Sequence, residues 1–270
     1  MIKTSSLVLA LGVAVALPMP APAQTGTEEL VQVGVLDGGV TERGTQMAAL
    51  ELTLAEGWKT YWRAPGEAGI PPRFDWRDSH NVAAVRIHWP TPIVFDQSGF
   101  QSIGYESRLV LPVEITPAKP GNPVRLSGRI ELGICRDICI PDSVTFDSAL
   151  DPKAARNPAI AAALAQRPYS AAESGMRKTT CRIAPIDGGV RLTAQITMPP
   201  TGEPEVAVIE PGDPAIWASQ TQHTRAGDVL TATTDLYHEG NGGFALDRSA
   251  IRITVLGRSR AVDIMGCAAP

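Results

Sequence analysis

Two of the four cysteines stand close together in Gly133-Ile134-Cys135-Arg136-Asp137-Ile138-Cys139-Ile140-Pro141, while the other two, Cys181 and Cys267, bracket almost the whole C-terminal third. Four oxidised cysteines allow three connectivities, and spacing selects Cys135 with Cys139 and Cys181 with Cys267. Loop length separates the two bonds in kind. In the chain-entropy account, closing a loop of about five residues stabilises by about 2 kcal/mol and one of about 87 residues by about 4.6 kcal/mol. The Cys181–Cys267 bond is therefore read as a structural staple. A bond across so short a loop contributes little stability and suits a disulfide that is made and broken by thiol exchange. An inert hairpin disulfide is the alternative from loop length alone.

Oxidised cysteines are expected because the chain opens with an export address. Lys3 supplies the charge, Ser6 to Leu17 the apolar stretch, and Ala21-Pro22-Ala23 the small-x-small cleavage site, so residues 1–23 read as a signal peptide. That run is short for a hydrocarbon core of ~30 Å, and no other segment has the roughly 18 uninterrupted apolar residues of a membrane span. With 24 Lys+Arg against 28 Asp+Glu and no long run of either sign, the chain carries no electrostatic footprint for nucleic acid.

The elements that must position the short pair are strands. Leu30 to Leu36, Met47 to Leu54, Val82 to Trp89 and Leu109 to Ile115 are alternating or apolar runs closed by turn residues. Val124 to Ile134 carries the alternation into Cys135, and Ile138 to Phe146 returns antiparallel, which makes Arg136-Asp137-Ile138 the connection of a tight hairpin. Between Asp151 and Gly175 the sequence turns Ala-rich, with Asn157 as N-cap, Pro158 at the first helical position and a short helix over Ala159 to Gln166. Alternation resumes at Cys181 to Ile186 and recurs in Val190 to Met198, Val206 to Ile209, Val229 to Leu236, Ile251 to Leu256 and Ala261 to Met265. The expected fold is all-β: two β-sandwich domains, residues 24–150 and 176–270, joined by a short helical linker at 151–175.

Other chemistries lack their residues. His80, His88, His223 and His238 are scattered without ligand spacing, and there is no nucleophile elbow or phosphate loop, so neither a metal nor a cofactor is expected. Gly240-Asn241-Gly242-Gly243 reads as a loop. Trp58, Tyr61 and Trp62 crowd into one short run, some facing a site or all serving core and edge; residue type alone does not decide.

Three stretches, GWKTYWRAPGEAGIPPRFDW from Gly57, SIGYESRLVLPVEITP from Ser102 and LGICRDICIP from Leu132, resemble the N-terminal periplasmic region of the DsbD/ScsB thiol:disulfide interchange family, in its ScsB-like branch. The resemblance implies that the two β-sandwich domains are immunoglobulin-like, the first a redox domain in the periplasm whose catalytic pair is Cys135 and Cys139. It implies electrons arriving from a membrane electron-transfer protein through a thioredoxin-like periplasmic domain and leaving to oxidised periplasmic proteins. It also implies a cap loop within Phe95 to Ser102, with Phe100 as the shielding ring and Asp96, Tyr105, Tyr61, Trp58 and Trp62 around the site. By the same analogy Cys139 is the partner-accessible sulfur. The Cys-x3-Cys spacing is shorter than in the DsbD type, and the sequence to Pro270 contains no membrane module, which leaves those partners to separate polypeptides or this chain to a different role. Two other functions compete: an immunoglobulin-like interaction module with a structural hairpin bond, and copper handling by soft thiolates, disfavoured by the absence of Met or His beside the pair.

Overall fold

Alternating burial along paired strands builds the molecule, which a computed structural model describes over residues 30–67, 69–97, 100–238, 240 and 244–270, with Gln97 and Phe100 described by backbone alone. The expected signal peptide, residues Ser98 and Gly99 of the expected cap, and most of the Gly240–Gly243 loop lie outside the described residues.

The first half runs β1 (Val31–Val40), β2 (Gln46–Leu54), β3 (Lys59–Tyr61), β4 (Arg73–Asp75), β5 (Val82–Ile87), β6 (Ile93–Gln97), β7 (Phe100–Glu106), β8 (Arg108–Pro117), β9 (Val124–Cys135) and β10 (Cys139–Leu150). One sheet has the order β1-β2-β8-β5, and the facing sheet β10-β9-β3-β7-β6, with β4 also paired to β9. Leu50 opposite Leu111 and Leu52 opposite Leu109 turn the first sheet's apolar face inward, against Val124, Leu126, Ile130 and Leu132 of β9. Removing such side chains from water supplies the main drive to fold, at about 25 cal/mol per Å² of apolar surface.

A short connection follows: α1 (Pro158–Ala165), β11 (Tyr169–Ser170) and α2 (Ala171–Ser174). Asn157 caps α1 through its side chain, which accepts from Ala159 N at 2.9 Å, and Ile160 and Ala163 are the helix's buried residues. The sequence reading placed this helix and its cap but not α2, whose Ser170 and Glu173 form a reciprocal capping box.

The second half comprises β12 (Lys178–Ile186), β13 (Gly189–Thr197), β14 (Val206–Glu210), β15 (Ile216–Ala218), β16 (Gln222–Ala226), β17 (Val229–His238), β18 (Arg252–Leu256) and β19 (Ala261–Met265). These form sheets ordered β12-β13-β17-β15, with β16 also on β17, and β11-β19-β18-β14. The Cys181–Cys267 disulfide ties β12 to the residue pair after β19, with Cα atoms 5.6 Å apart. The fold is thus all-β, as expected. Apolar side chains of the second half, Val206, Leu256 and Ala261, pack into the same core cluster as Trp62 and Tyr105 of the first.

Candidate redox site at the tip of a hairpin

Strand β9 alternates buried and exposed residues until Leu132; from Gly133 to Cys135 every residue is buried. Its outer face is covered there because Gly133 has no side chain. A Cβ at Gly133 would lie 2.8 Å from Ile70 Cβ and 3.1 Å from Tyr61 Cδ2, so both side chains occupy the space this glycine leaves.

Cys135 and Cys139 are the first register pair of the β9–β10 ladder and are disulfide-bonded, with Cα atoms 4.2 Å apart. Arg136, Asp137 and Ile138 form the connection, closed by a hydrogen bond from Arg136 N to Ile138 O. The two sulfurs have unequal settings: Cys135 is fully buried and Cys139 exposed, beside an Ile138 that is 66% exposed. The Arg136–Asp137 ion pair at 3.1 Å lies in solvent, where such pairs contribute little.

Tyr61 reaches both sulfurs, its hydroxyl 2.9 Å from Cys135 Sγ and 3.1 Å from Cys139 Sγ. In the disulfide neither sulfur carries a proton, so the phenol is the donor. Burial pushes the Tyr61 phenol above its usual pKa, which keeps that proton in place through neutral pH. Lys59, two residues earlier, is Cys135's register partner on β3, and its ammonium sits 4.6 Å from the centre of the Phe95 ring on β6. Burial lowers the Lys59 pKa, and the Glu106 carboxylate opposes that shift.

The period of two along β3 separates the other expected residues. Lys59 and Tyr61 share the sheet face of Cys135, but only Tyr61 reaches the sulfurs while the Lys59 ammonium extends toward Phe95; Thr60 and Trp62 lie on the core face. Trp62 is fully buried with the Arg63 guanidinium 3.9 Å from its ring centre, and Tyr105 is buried with its hydroxyl donating to Pro90 O at 2.8 Å. Burial holds the Tyr105 phenol well above its usual pKa. The structure therefore places Trp62 and Tyr105 in the core rather than against the sulfurs. Trp58 lies at the site's border, nearly buried, with the Arg136 guanidinium 5.3 Å from its ring. Gly57 has φ +76° and runs beneath the Arg136 side chain, whose Cδ would meet an added Cβ at 3.3 Å.

The stretch expected as a cap loop is largely a hairpin, with Phe95 opposite Ser102, Asp96 opposite Gln101 and Gln97 opposite Phe100. Asp96 is exposed on β6, and the Phe100 side chain lies outside what is described. Lys59, Ile70 and Gly133 were missed as site residues; strict alternation applied to Lys59-Thr60-Tyr61-Trp62 would have singled out Lys59. Among the described residues no cluster of His, Cys, Asp or Glu could hold a metal ion, and no helix is long and apolar enough to cross a membrane.

This arrangement leaves one sulfur exposed and keeps the other buried beside a proton donor. The family model described as thiol:disulfide interchange protein DsbD, N-terminal, matches residues 28–151. Among solved structures, the N-terminal periplasmic domain of ScsB from Proteus mirabilis is similar, with a TM-score of 0.68 and 23% sequence identity over 92% of this chain and 96% of that one. At that identity the likeness is one of fold. No curated protein matches the chain.

Proposed function

We propose, from the match of residues 28–151 to the N-terminal region of the thiol:disulfide interchange protein DsbD, that Cys135 and Cys139 shuttle electrons by reversible dithiol–disulfide exchange in the periplasm. A donor thiolate, from a thioredoxin-like domain fed by a membrane electron carrier, attacks the exposed Cys139 Sγ in line with the bond. Cys135 Sγ leaves as the thiolate, and a mixed disulfide joins donor and Cys139. The donor's second thiolate attacks its own sulfur in that bridge and releases Cys139. Two electrons and two protons have then passed to the pair, and the donor is a disulfide.

Delivery runs in reverse. The Cys139 thiolate attacks the disulfide of an oxidised periplasmic protein, expelling one acceptor thiolate, and Cys135 then attacks Cys139 Sγ to expel the second. In both directions Cys135 and Cys139 carry the thiolate charge within the protein, as leaving groups when the pair is reduced and as attacking groups when it delivers. The Tyr61 hydroxyl lies within reach of both sulfurs in the disulfide, and a hydrogen bond to the charged form favours it.

The observation that carries this reading is the unequal exposure of two bonded sulfurs, Cys139 exposed and Cys135 buried, which suits Cys139 to meet a partner and Cys135 to resolve the mixed disulfide. Trapping tests it. Cys135→Ser, which keeps the exposed thiol, is expected to accumulate a mixed disulfide with its donor or acceptor, and Cys139→Ser is not. The opposite pattern would reverse the roles, and no mixed disulfide with either variant would remove the exchange function.

A further inference from the structure

Arg63 lies two residues beyond Tyr61 and is largely buried, yet its charge is matched from the other half of the molecule. Its Nε and Nη2 donate to Glu210 Oε1 and Oε2 at 3.0 Å each, and Nη2 also donates to Thr254 Oγ1 at 3.2 Å. Asp263 stands 3.9 Å away and is itself held by Arg252, whose Nε donates to Asp263 Oδ1 at 2.7 Å. The guanidinium stacks on Trp62, the residue between Arg63 and Tyr61. The same short segment is bracketed by β7: Trp62 N donates to Ile103 O, and Ile103 N donates to Pro65 O. The chain from the Tyr61 hydroxyl to the second sandwich is thus continuous through three consecutive residues, each fixed by packing or paired hydrogen bonds.

A two-pronged guanidinium–carboxylate contact fixes orientation as well as distance, and a buried ion pair imposes register more surely than it adds stability. We infer that Arg63 is a positioning residue, clamped by Glu210 of the second sandwich, that holds the Tyr61 hydroxyl over the Cys135–Cys139 sulfurs. The second sandwich is on this account part of the redox site's scaffold and sets its reactivity from the far side of β3. The inference rests on the exchange reading above.

Glu210→Gln in the exported chain, with Cys181–Cys267 intact, separates positioning from stability. Two quantities are read: the equilibrium of the Cys135–Cys139 pair against dithiothreitol, and the pH profile of iodoacetamide alkylation of the reduced pair. Tyr61→Phe gives the reference shift. Glu205→Gln is the comparison, since it breaks a different buried ion pair, with Arg225, that does not touch Arg63.

Glu210→Gln is expected to move both readouts in the direction of Tyr61→Phe by about three- to fivefold, the scale of one misplaced hydrogen bond, while Glu205→Gln lowers thermal stability and leaves both unchanged. If Glu210→Gln does not fold, Arg63→Lys, which keeps the charge and loses the fork, is expected to give a shift of about twofold in the same direction. Parent-like redox behaviour in the variant that folds, or an equal shift in Glu205→Gln, overturns the inference and leaves the exchange function standing. A parent pair that dithiothreitol cannot open overturns the exchange function itself, and the inference with it.

Discussion

The hydroxyl of Tyr61 lies 2.9 Å from Cys135 Sγ, although the two residues are 74 positions apart in sequence and on different strands. Only the β3–β9 pairing brings them together, with Lys59 opposite Cys135 and Thr60 opposite Ile134. Tyr61→Phe keeps the ring and deletes the donor. A hydrogen bond of about 1 kcal/mol corresponds to about a fivefold change, so the thiol pKa of the reduced pair should rise and exchange near neutral pH slow by about that factor. The alkylation rate of the reduced protein as a function of pH measures it; an unchanged midpoint would assign the hydroxyl to packing.

Gly133 holds open the space that Tyr61 fills. Gly133→Ala would set a methyl against Ile70 and the Tyr61 ring, costing about 1–3 kcal/mol by overpacking and pushing the hydroxyl off the sulfurs. Its alkylation profile should shift towards that of Tyr61→Phe, with a lower urea midpoint in addition. A loss of stability with the parent's alkylation profile would show that Tyr61 holds its place by other contacts.

Glu205 is buried and bonded by Thr201 N, Thr201 Oγ1 and Arg225. Burial alone would raise its pKa, but the Arg225 and Thr201 hydrogen bonds outweigh it and hold the carboxyl below the usual 4.5. A depressed carboxylate stabilises above its unfolded pKa, and that contribution is lost as pH falls through the folded value. At neutral pH Glu205→Gln should cost about 3–5 kcal/mol, as for other broken buried pairs, and the gap to the parent should narrow in acid below pH 4.5. Urea unfolding across that pH range gives the gap directly.

The Cys181–Cys267 bond, with a sequence separation of 86, closes the long loop. Replacing both cysteines with Ser should destabilise the protein by about 4 kcal/mol, seen as a lower urea midpoint, and leave the chemistry of the Cys135–Cys139 pair unchanged. An altered dithiothreitol equilibrium at the short pair would show that the staple's constraint reaches β3.

The sequence displayed what repeats locally. Alternation from Val124 to Leu132, the Arg136-Asp137-Ile138 turn, and the Asn157-Pro158 helix start are each written within a few residues, and the strands and helix formed there. What it concealed depends on register. Trp62 and Tyr105 joined the expected site because aromatic residues near a motif look alike in one dimension; strand geometry sends them to the core and Tyr61 to the sulfurs. The Arg63–Glu210 contact spans 147 positions, and no local pattern in either segment foretells it. Ser170 and Glu173 did carry a readable capping signal, but α2 is a single turn without the periodicity that draws attention to a helix.

Twelve consecutive residue pairs of β9 and β10 extend from Cys135 and Cys139 to Val124 and Leu150. When the sulfurs part, that zipper still holds their two anchoring Cα atoms as neighbours, so the freed thiols see one another at the very high local concentration of an intramolecular encounter. On the proposed exchange, covalent complexes with other proteins should consequently be fleeting, dissolved by the nearer thiol before a gel could catch them.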